Sequence, residues 1–151
     1  MTSGLRPTTR VVIADDHPVV RAGLRELLRS SGDIEVVGEA ANGVEAVELA
    51  TALRPDLVLM DLAMPELDGV EATRLITAAR PETVVVALTT YDDAAHVRAA
   101  LDAGARGYLR KDIGPEQLVA GIRAAASQWI LVSPDINPLV TPDDDVAEGA
   151  G

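Results

Sequence analysis

Leu57-Val58-Leu59-Met60-Asp61 is a run of four apolar residues halted by a carboxylate. Three other short runs share that form. Val11-Val12-Ile13-Ala14 leads into Asp15-Asp16, Val84-Val85-Val86-Ala87-Leu88 into Thr89, and Gly107-Tyr108-Leu109 into Arg110-Lys111. The runs are far too short to cross a bilayer. Their Val, Ile and Leu content, without polar alternation, predicts strands buried on both faces. In open parallel sheets, ligands sit beyond the carboxyl ends of the strands. Side by side, the four runs would bring three carboxylates, a hydroxyl and an ammonium to one edge. A hydrophobic core does not need that collection; a site that handles a metal ion and a phosphoryl group does.

The stretches between the runs read as helices. Pro18 suits a first helical turn, and residues 19–28 continue amphipathically until Ser31-Gly32-Asp33. Residues 34–40 read as a further strand. Asn42, with Glu45 three positions on, opens a helix to about Leu53, which Pro55 stops. Asp68 caps a helix over 70–79, with Glu71 at its third position. Asp92 or Asp93 caps another that runs to Ala103 and ends at Gly104. Pro115 begins the last, through about Ser127. Five strand–helix units in about 120 residues make an α/β parallel sheet with helices on both faces. Periodicity alone does not fix the strand order.

Composition narrows the function classes. Of 151 residues, 48% are hydrophobic, and there is no Cys and no Phe. The core is therefore aliphatic, and thiolate chemistry and disulfides are excluded. The N-terminus has no apolar leader-like segment and no stretch nears the length of a membrane span, so a cytoplasmic protein without membrane contact is expected. The net charge of −11 argues against direct nucleic-acid binding by this chain, which would need a basic patch. Asp135, Asp143, Asp144, Asp145 and Glu148 all lie beyond Arg123, the last basic residue. With Pro134, Pro138 and Pro142, they make 128–151 an acidic linker or tail, in which 129–132 could still pack on the domain. Residues 1–8 read as an N-terminal tail and 9–127 as one domain. Lys111 is the only lysine in the chain. Preference for Arg explains the missing lysines but not the one that remains, so Lys111 is assigned a specific role.

Each residue at the expected edge answers one demand of phosphoryl transfer. Asp61 can accept a phosphoryl group as an acyl phosphate. Asp15 and Asp16 beside it would repel one another and require a hard cation, for which Mg²⁺ is the common choice beside phosphates. Thr89 can donate to a phosphoryl oxygen, and Lys111 can neutralise one. Bland alternatives exist for single residues: a helix-start acidic pair for Asp15-Asp16, strand packing for Tyr108, turn chemistry for Met64-Pro65. His17 reads as a loop residue.

Taken in order, these motifs identify a resemblance. Asp15-Asp16, the stretch Asp61-Leu62-Ala63-Met64-Pro65-Glu66-Leu67-Asp68-Gly69, Leu88-Thr89-Thr90 and Gly107-Tyr108-Leu109-Arg110-Lys111 resemble the receiver domain of bacterial two-component response regulators over about residues 9–127. Asp15-Asp16-His17-Pro18-Val19-Val20-Arg21-Ala22-Gly23-Leu24, with Lys111-Asp112 in place of Lys-Pro, is similar to the NarL/LuxR-type subfamily. The resemblance implies a flavodoxin-like (βα)5 doubly wound sheet of strand order 2-1-3-4-5. It implies a phosphoryl group received by Asp61 from a sensor histidine kinase. Asp16 and Asp61 would ligate Mg²⁺ directly, Asp15 mainly through water, and the Ala63 backbone carbonyl would complete the protein ligands. Thr89 and Tyr108 would form the conformational switch.

Further expectations follow from the resemblance. With Asp112 after Lys111, that peptide is expected to be trans. Ala63 and Tyr91 flank the phosphoryl group in this family; Ala63 cannot orient a water and Tyr91 is bulky, so self-dephosphorylation over minutes or longer is expected. The chain is an expected fragment of a longer transcription regulator whose DNA contacts lie in a C-terminal helix-turn-helix domain. A stand-alone receiver, or one acting by protein contacts without phosphorylation, is the alternative. A homodimer through the terminal helices or the last-strand face is plausible on the same grounds. Two rivals fail on residues. A haloacid-dehalogenase-type phosphatase needs an acid where Ala63 stands, and a flavin carrier's phosphate would be repelled by Asp15-Asp16.

Overall fold

A computed structural model describes residues 8–64, 66–90 and 94–127. Ten elements alternate along the chain: β1 (Thr9–Ala14), α1 (Pro18–Ser30), β2 (Ile34–Ala40), α2 (Gly43–Leu53), β3 (Leu57–Asp61), α3 (Gly69–Ala79), β4 (Val84–Thr89), α4 (Ala94–Asp102), β5 (Gly107–Arg110) and α5 (Pro115–Ala126). The five strands form one parallel sheet in the order β2-β1-β3-β4-β5. The expected flavodoxin-like architecture is the observed one. All of β3 and β4 is buried, as their unbroken apolar runs require.

Successive side chains of a strand point to opposite faces, and the sheet divides its core accordingly. Val12, Ala14, Val58, Met60, Val85, Ala87 and Tyr108 face one side, where they meet Ala46 and Ala50 of α2, Ala72 and Ile76 of α3, and Val97 and Ala100 of α4. Val11, Ile13, Leu57, Leu59, Val86, Leu88 and Leu109 face the other, under Leu28 of α1 and Leu118, Val119 and Ile122 of α5.

The helix ends follow the chemistry read from the sequence. Asn42 accepts the Glu45 amide at 2.9 Å, and Asp68 accepts the Glu71 amide at 2.9 Å. Pro18 and Pro115 stand in the first turns of α1 and α5. Gly104 ends the α4 region at φ +119°, where a Cβ would lie 2.6 Å from Thr77 Oγ1. The capping role expected of Asp92 or Asp93, the position of Tyr91, the loop role of Pro65 and the packing of 129–132 lie outside the described residues. No peptide bond among the described residues is cis, and Lys111–Asp112 is trans as expected.

One irregularity has no counterpart in the sequence reading. The β1–β2 register shifts between Val11 and Val12, which pair with Val36 and Gly38, so Val37 bulges. Among the described residues, no helix is long and apolar enough to cross a membrane.

Candidate functional site

Four strand ends build the site. β1 delivers Asp15 and Asp16 immediately beyond Ala14, β3 ends on Asp61, β4 ends on Thr89, and β5 is followed by Lys111. Asp61 pairs in register with Leu88, so Thr89 stands one residue further out on the neighbouring strand. The Lys111 amide donates to the Thr89 carbonyl at 2.9 Å, which fixes the backbone from which the ammonium reaches inward.

That reach brings Lys111 Nζ to 3.1 Å from Asp61 Oδ2 and 3.5 Å from Asp15 Oδ2. Asp61 Oδ1 accepts the Ala63 amide at 3.1 Å, and Asp15 Oδ1 accepts the His17 amide at 2.8 Å. Each of these two carboxylates thus spends one oxygen on backbone and turns the other toward the ammonium. Asp15 Oδ2, Asp61 Oδ2 and Asp16 Oδ1 are buried and have no hydrogen-bond partner among the described residues. Three carboxylates at an edge where the ammonium pairs with only two of them leave it short of positive charge.

The ionisation of the pair reflects this. Burial pushes the Asp61 carboxyl above its usual range; the Ala63 amide and Lys111 oppose the rise, and Asp15 adds to it. Burial pulls Lys111 downward, but the ion pair with Asp61, with Asp15 beside it, outweighs burial and holds the ammonium above its ordinary value. Lys111 is therefore a firm cation and Asp61 a carboxylate with reason to share its charge.

The loop after β3 is pinned to the strand that carries Asp61. The Gly69 amide donates to the Leu62 carbonyl at 3.2 Å, and a Cβ at Gly69 would lie 2.2 Å from the Asp61 carbonyl oxygen. Only glycine permits that approach. Between these points Glu66 holds φ +65°, an uncommon value for a non-glycine residue.

Thr89 and Tyr108 are both buried. Thr89 Oγ1 lies 3.3 Å from the Thr90 carbonyl, a long contact that leaves the hydroxyl weakly held. Tyr108 is fully enclosed in the face covered by α2, α3 and α4. Its hydroxyl has no hydrogen-bond partner among the described residues, and burial raises its pKa.

Two contributions escaped the sequence reading. His17 does lie in the loop before α1, but its Nδ1 sits 3.2 Å from Asp15 Oδ1 and 3.1 Å from Asp16 Oδ1. Arg21, one turn into α1, donates through Nη1 to the Asp15 carbonyl at 2.6 Å and through Nε to Glu39 Oε1 at 3.1 Å. Arg25 Nη1 donates to Glu39 Oε2 at 2.7 Å. Burial works against the Glu39 charge, but Arg25 and Arg21 together hold its carboxyl below the ordinary range. The Asp15-Asp16 turn is thereby braced from behind by a bridge between α1 and the end of β2. The available signal was Arg21 at a helical spacing of four from His17; the acid it needs is found only once β2 is placed beside β1.

The chain matches the family model of the response regulator receiver domain over residues 11–123. It is 53% identical over 110 residues to the transcriptional regulatory protein YhcZ of Bacillus subtilis, covering 73% of this chain and 51% of that protein. It is 37% identical over 138 residues to the nitrate/nitrite response regulator NarL of Escherichia coli K12, covering 91% and 63%. A solved LuxR-family two-component response regulator from Aurantimonas sp. SI85-9A1 superposes with a TM-score of 0.83 at 38% identity, covering 88% of this chain and 95% of that one. The chain thus spans between half and two thirds of the curated relatives' length. With the 2-1-3-4-5 sheet and the acidic edge in place, the chain belongs to the response regulator receiver domains, in their NarL/LuxR-type branch.

Proposed function

We propose that Asp61 accepts a phosphoryl group from a phosphohistidine of a sensor histidine kinase, and that the change at this edge controls a transcriptional output. The observation that carries the reading is the Lys111 ammonium 3.1 Å from Asp61 at the mouth of a buried cluster of carboxylates. The curated relatives named above are regulators, one of them of transcription by name. Residues 9–127 are read as the receiver, and DNA contact is assigned to a part of the regulator other than this acidic chain.

In the transfer, an Asp61 oxygen forms the new bond to phosphorus while the phosphorus–nitrogen bond of the donor breaks and the imidazole departs. Lys111 holds positive charge against the phosphoryl oxygens throughout, and the Thr89 hydroxyl donates to one of them. The Ala63 amide keeps Asp61 oriented from its other oxygen. A divalent cation fits the edge, because buried carboxylate oxygens without hydrogen bonds are the donor set a hard ion takes. Asp16 and Asp61 would hold Mg²⁺ directly, Asp15 through water, and the Ala63 carbonyl would complete the protein ligands; when bound, the ion neutralises charge on the carboxylates and phosphoryl oxygens. Tyr108 is buried, and movement of the Thr89 hydroxyl toward a phosphoryl group would favour an enclosed ring.

Incubation with acetyl phosphate or beryllofluoride and Mg²⁺ tests the reading. One adduct at Asp61 is expected by mass spectrometry or fluorine resonance, absent from Asp61→Asn. A chain that folds, binds Mg²⁺ and takes no adduct would instead be a receiver that works by protein contact alone. Ala63 and Tyr91 lead us to expect the acyl phosphate to persist for minutes or longer; a lifetime of seconds without a phosphatase would sink that expectation.

A further inference from the structure

Asp15, Asp16, His17 and Asp61 each offer one ligand atom, and all four atoms lie within 4.8 Å of one another. Three are oxygens and suit the cation already assigned. The fourth is a ring nitrogen beside Asp15 Oδ1 and Asp16 Oδ1, and the oxygen-only reading gives it no task toward the cation. Asp15 Oδ1 is shared between the His17 amide at 2.8 Å and this ring nitrogen at 3.2 Å, so the ring is held at the mouth of the cluster. The ring is 63% exposed, so close packing does not force it toward the acids. The His17 backbone, by contrast, is anchored: its amide is held by Asp15 and its carbonyl accepts the Arg21 amide at 2.9 Å in the first turn of α1. Independently, Asp15 Oδ2 and Asp61 Oδ2 are buried without hydrogen bonds on residues more than nine-tenths buried, and both face the same small space.

We propose that His17 supplies a nitrogen ligand to the ion bound at this edge, making a mixed nitrogen–oxygen centre suited to first-row transition ions such as Mn²⁺, Co²⁺ and Zn²⁺ as well as Mg²⁺. The proposal rests on the reading above for the location of the cation and adds the ligand type. The physical reason is ligand softness. Mg²⁺ is hard, prefers oxygen and keeps several waters, so an adjacent imidazole adds little to its binding. The later first-row ions gain from imidazole, in rising order from Mn²⁺ to Cu²⁺ with Zn²⁺ below Cu²⁺. Asp16 Oδ1, 3.1 Å from the ring nitrogen, is the oxygen with which His17 would grip the ion.

Pulsed electron paramagnetic resonance of the whole chain loaded with Mn²⁺ is the direct test. An imidazole nitrogen coupling is expected in the wild type and is expected to vanish in His17→Asn. Calorimetric titrations with Zn²⁺ and Mg²⁺ give a second measurement: His17→Asn should weaken Zn²⁺ by about tenfold or more while changing Mg²⁺ by less than about threefold. Mn²⁺ bound without nitrogen coupling would overturn the proposal and leave the oxygen site standing. Equal losses for Zn²⁺ and Mg²⁺ would also overturn it, because they would mark His17 as a brace for Asp16. If no Mn²⁺ binds at all, the cation site itself fails, and both readings fall together.

Discussion

At the amino end of the sheet, charges and polar groups are matched individually. The Asp56 carboxylate accepts the Arg10 amide at 2.8 Å, the Arg10 guanidinium donates to the Arg54 carbonyl at 2.9 Å, and Arg123 forks onto both oxygens of Asp33 at 2.8 and 2.9 Å. At the carboxyl end, Asp15 and Asp61 converge on one ammonium with Asp16 beside them, and three buried oxygens of these carboxylates lack hydrogen bonds. Both ends belong to the same strands, so the backbone does not explain the contrast. One end is closed by its own side chains. The other holds an excess of negative charge that a ligand can relieve. Structural pairing and poised chemistry are thus separated by the length of a strand.

The sharpest way to break the comparison is to neutralise the poised end. Asp61→Asn should remove the phosphoryl adduct completely. It should also stabilise the metal-free fold, because burial and Asp15 disfavour the charge it deletes. A rise in Tm of about 3 °C or more in chelator would correspond to about 1 kcal/mol in a domain of this size. A fall in Tm would mean that the Lys111–Asp61 pair outweighs the repulsion, and the contrast between the ends would collapse.

A ligand should do reversibly what that substitution does permanently. Mg²⁺ at about 100 times its dissociation constant should stabilise the wild type by about 2.7 kcal/mol. Chelation should remove the gain, and Asp16→Asn should lose most of it. Thermal scans with and without the ion supply both numbers.

The brace behind the site is the next test. Arg21→Ala removes the donor to the Asp15 carbonyl and one partner of Glu39. Mg²⁺ affinity should fall by about tenfold, the range seen when groups that orient metal ligands are lost. Arg21→Lys keeps the charge but not the fork, and should recover only part of it.

The smallest effect belongs to the paired end. The Arg123 hydrogen bonds hold the Asp33 carboxyl below its usual range. A lowered carboxylate pKa contributes stability that is present above the unfolded-state value and is lost as pH falls through the folded-state value. Asp33→Asn should therefore cost little near neutrality, since the Arg123 guanidinium is largely solvated, and should flatten the acid limb of the stability–pH curve below about pH 4. Denaturant melts from pH 2 to 7 would show it.

How much of this was legible beforehand depended on the range of the interactions. β3 and β4 were readable because burial on both faces leaves a continuous apolar run, and Asn42 and Asp68 because a cap and its helix are neighbours in the chain. Lys111 was readable because it is the only lysine. The strand order came from the family resemblance and not from the pattern. The Val37 bulge, the Arg21–Glu39–Arg25 bridge and the approach of His17 to Asp16 were invisible, since each depends on what a fold places beside what. Tyr108 lies between these cases: its place on β5 was clear, but its complete enclosure depends on the helices that cover that face of the sheet.

Gly69 carries a consequence for how this site can vary through descent. The chain leaves the sheet at Asp61 and is fastened back at Leu62 and Asp61 by a contact only glycine allows. The excursion between is an eyelet whose two ends meet. Side chains inside it, that of Ala63 among them, can be exchanged while the Gly69 contact still holds the backbone at Asp61. Under the proposed phosphoryl transfer, the lifetime of a signal and the ability to receive one would then be inherited, and selected, as separate traits.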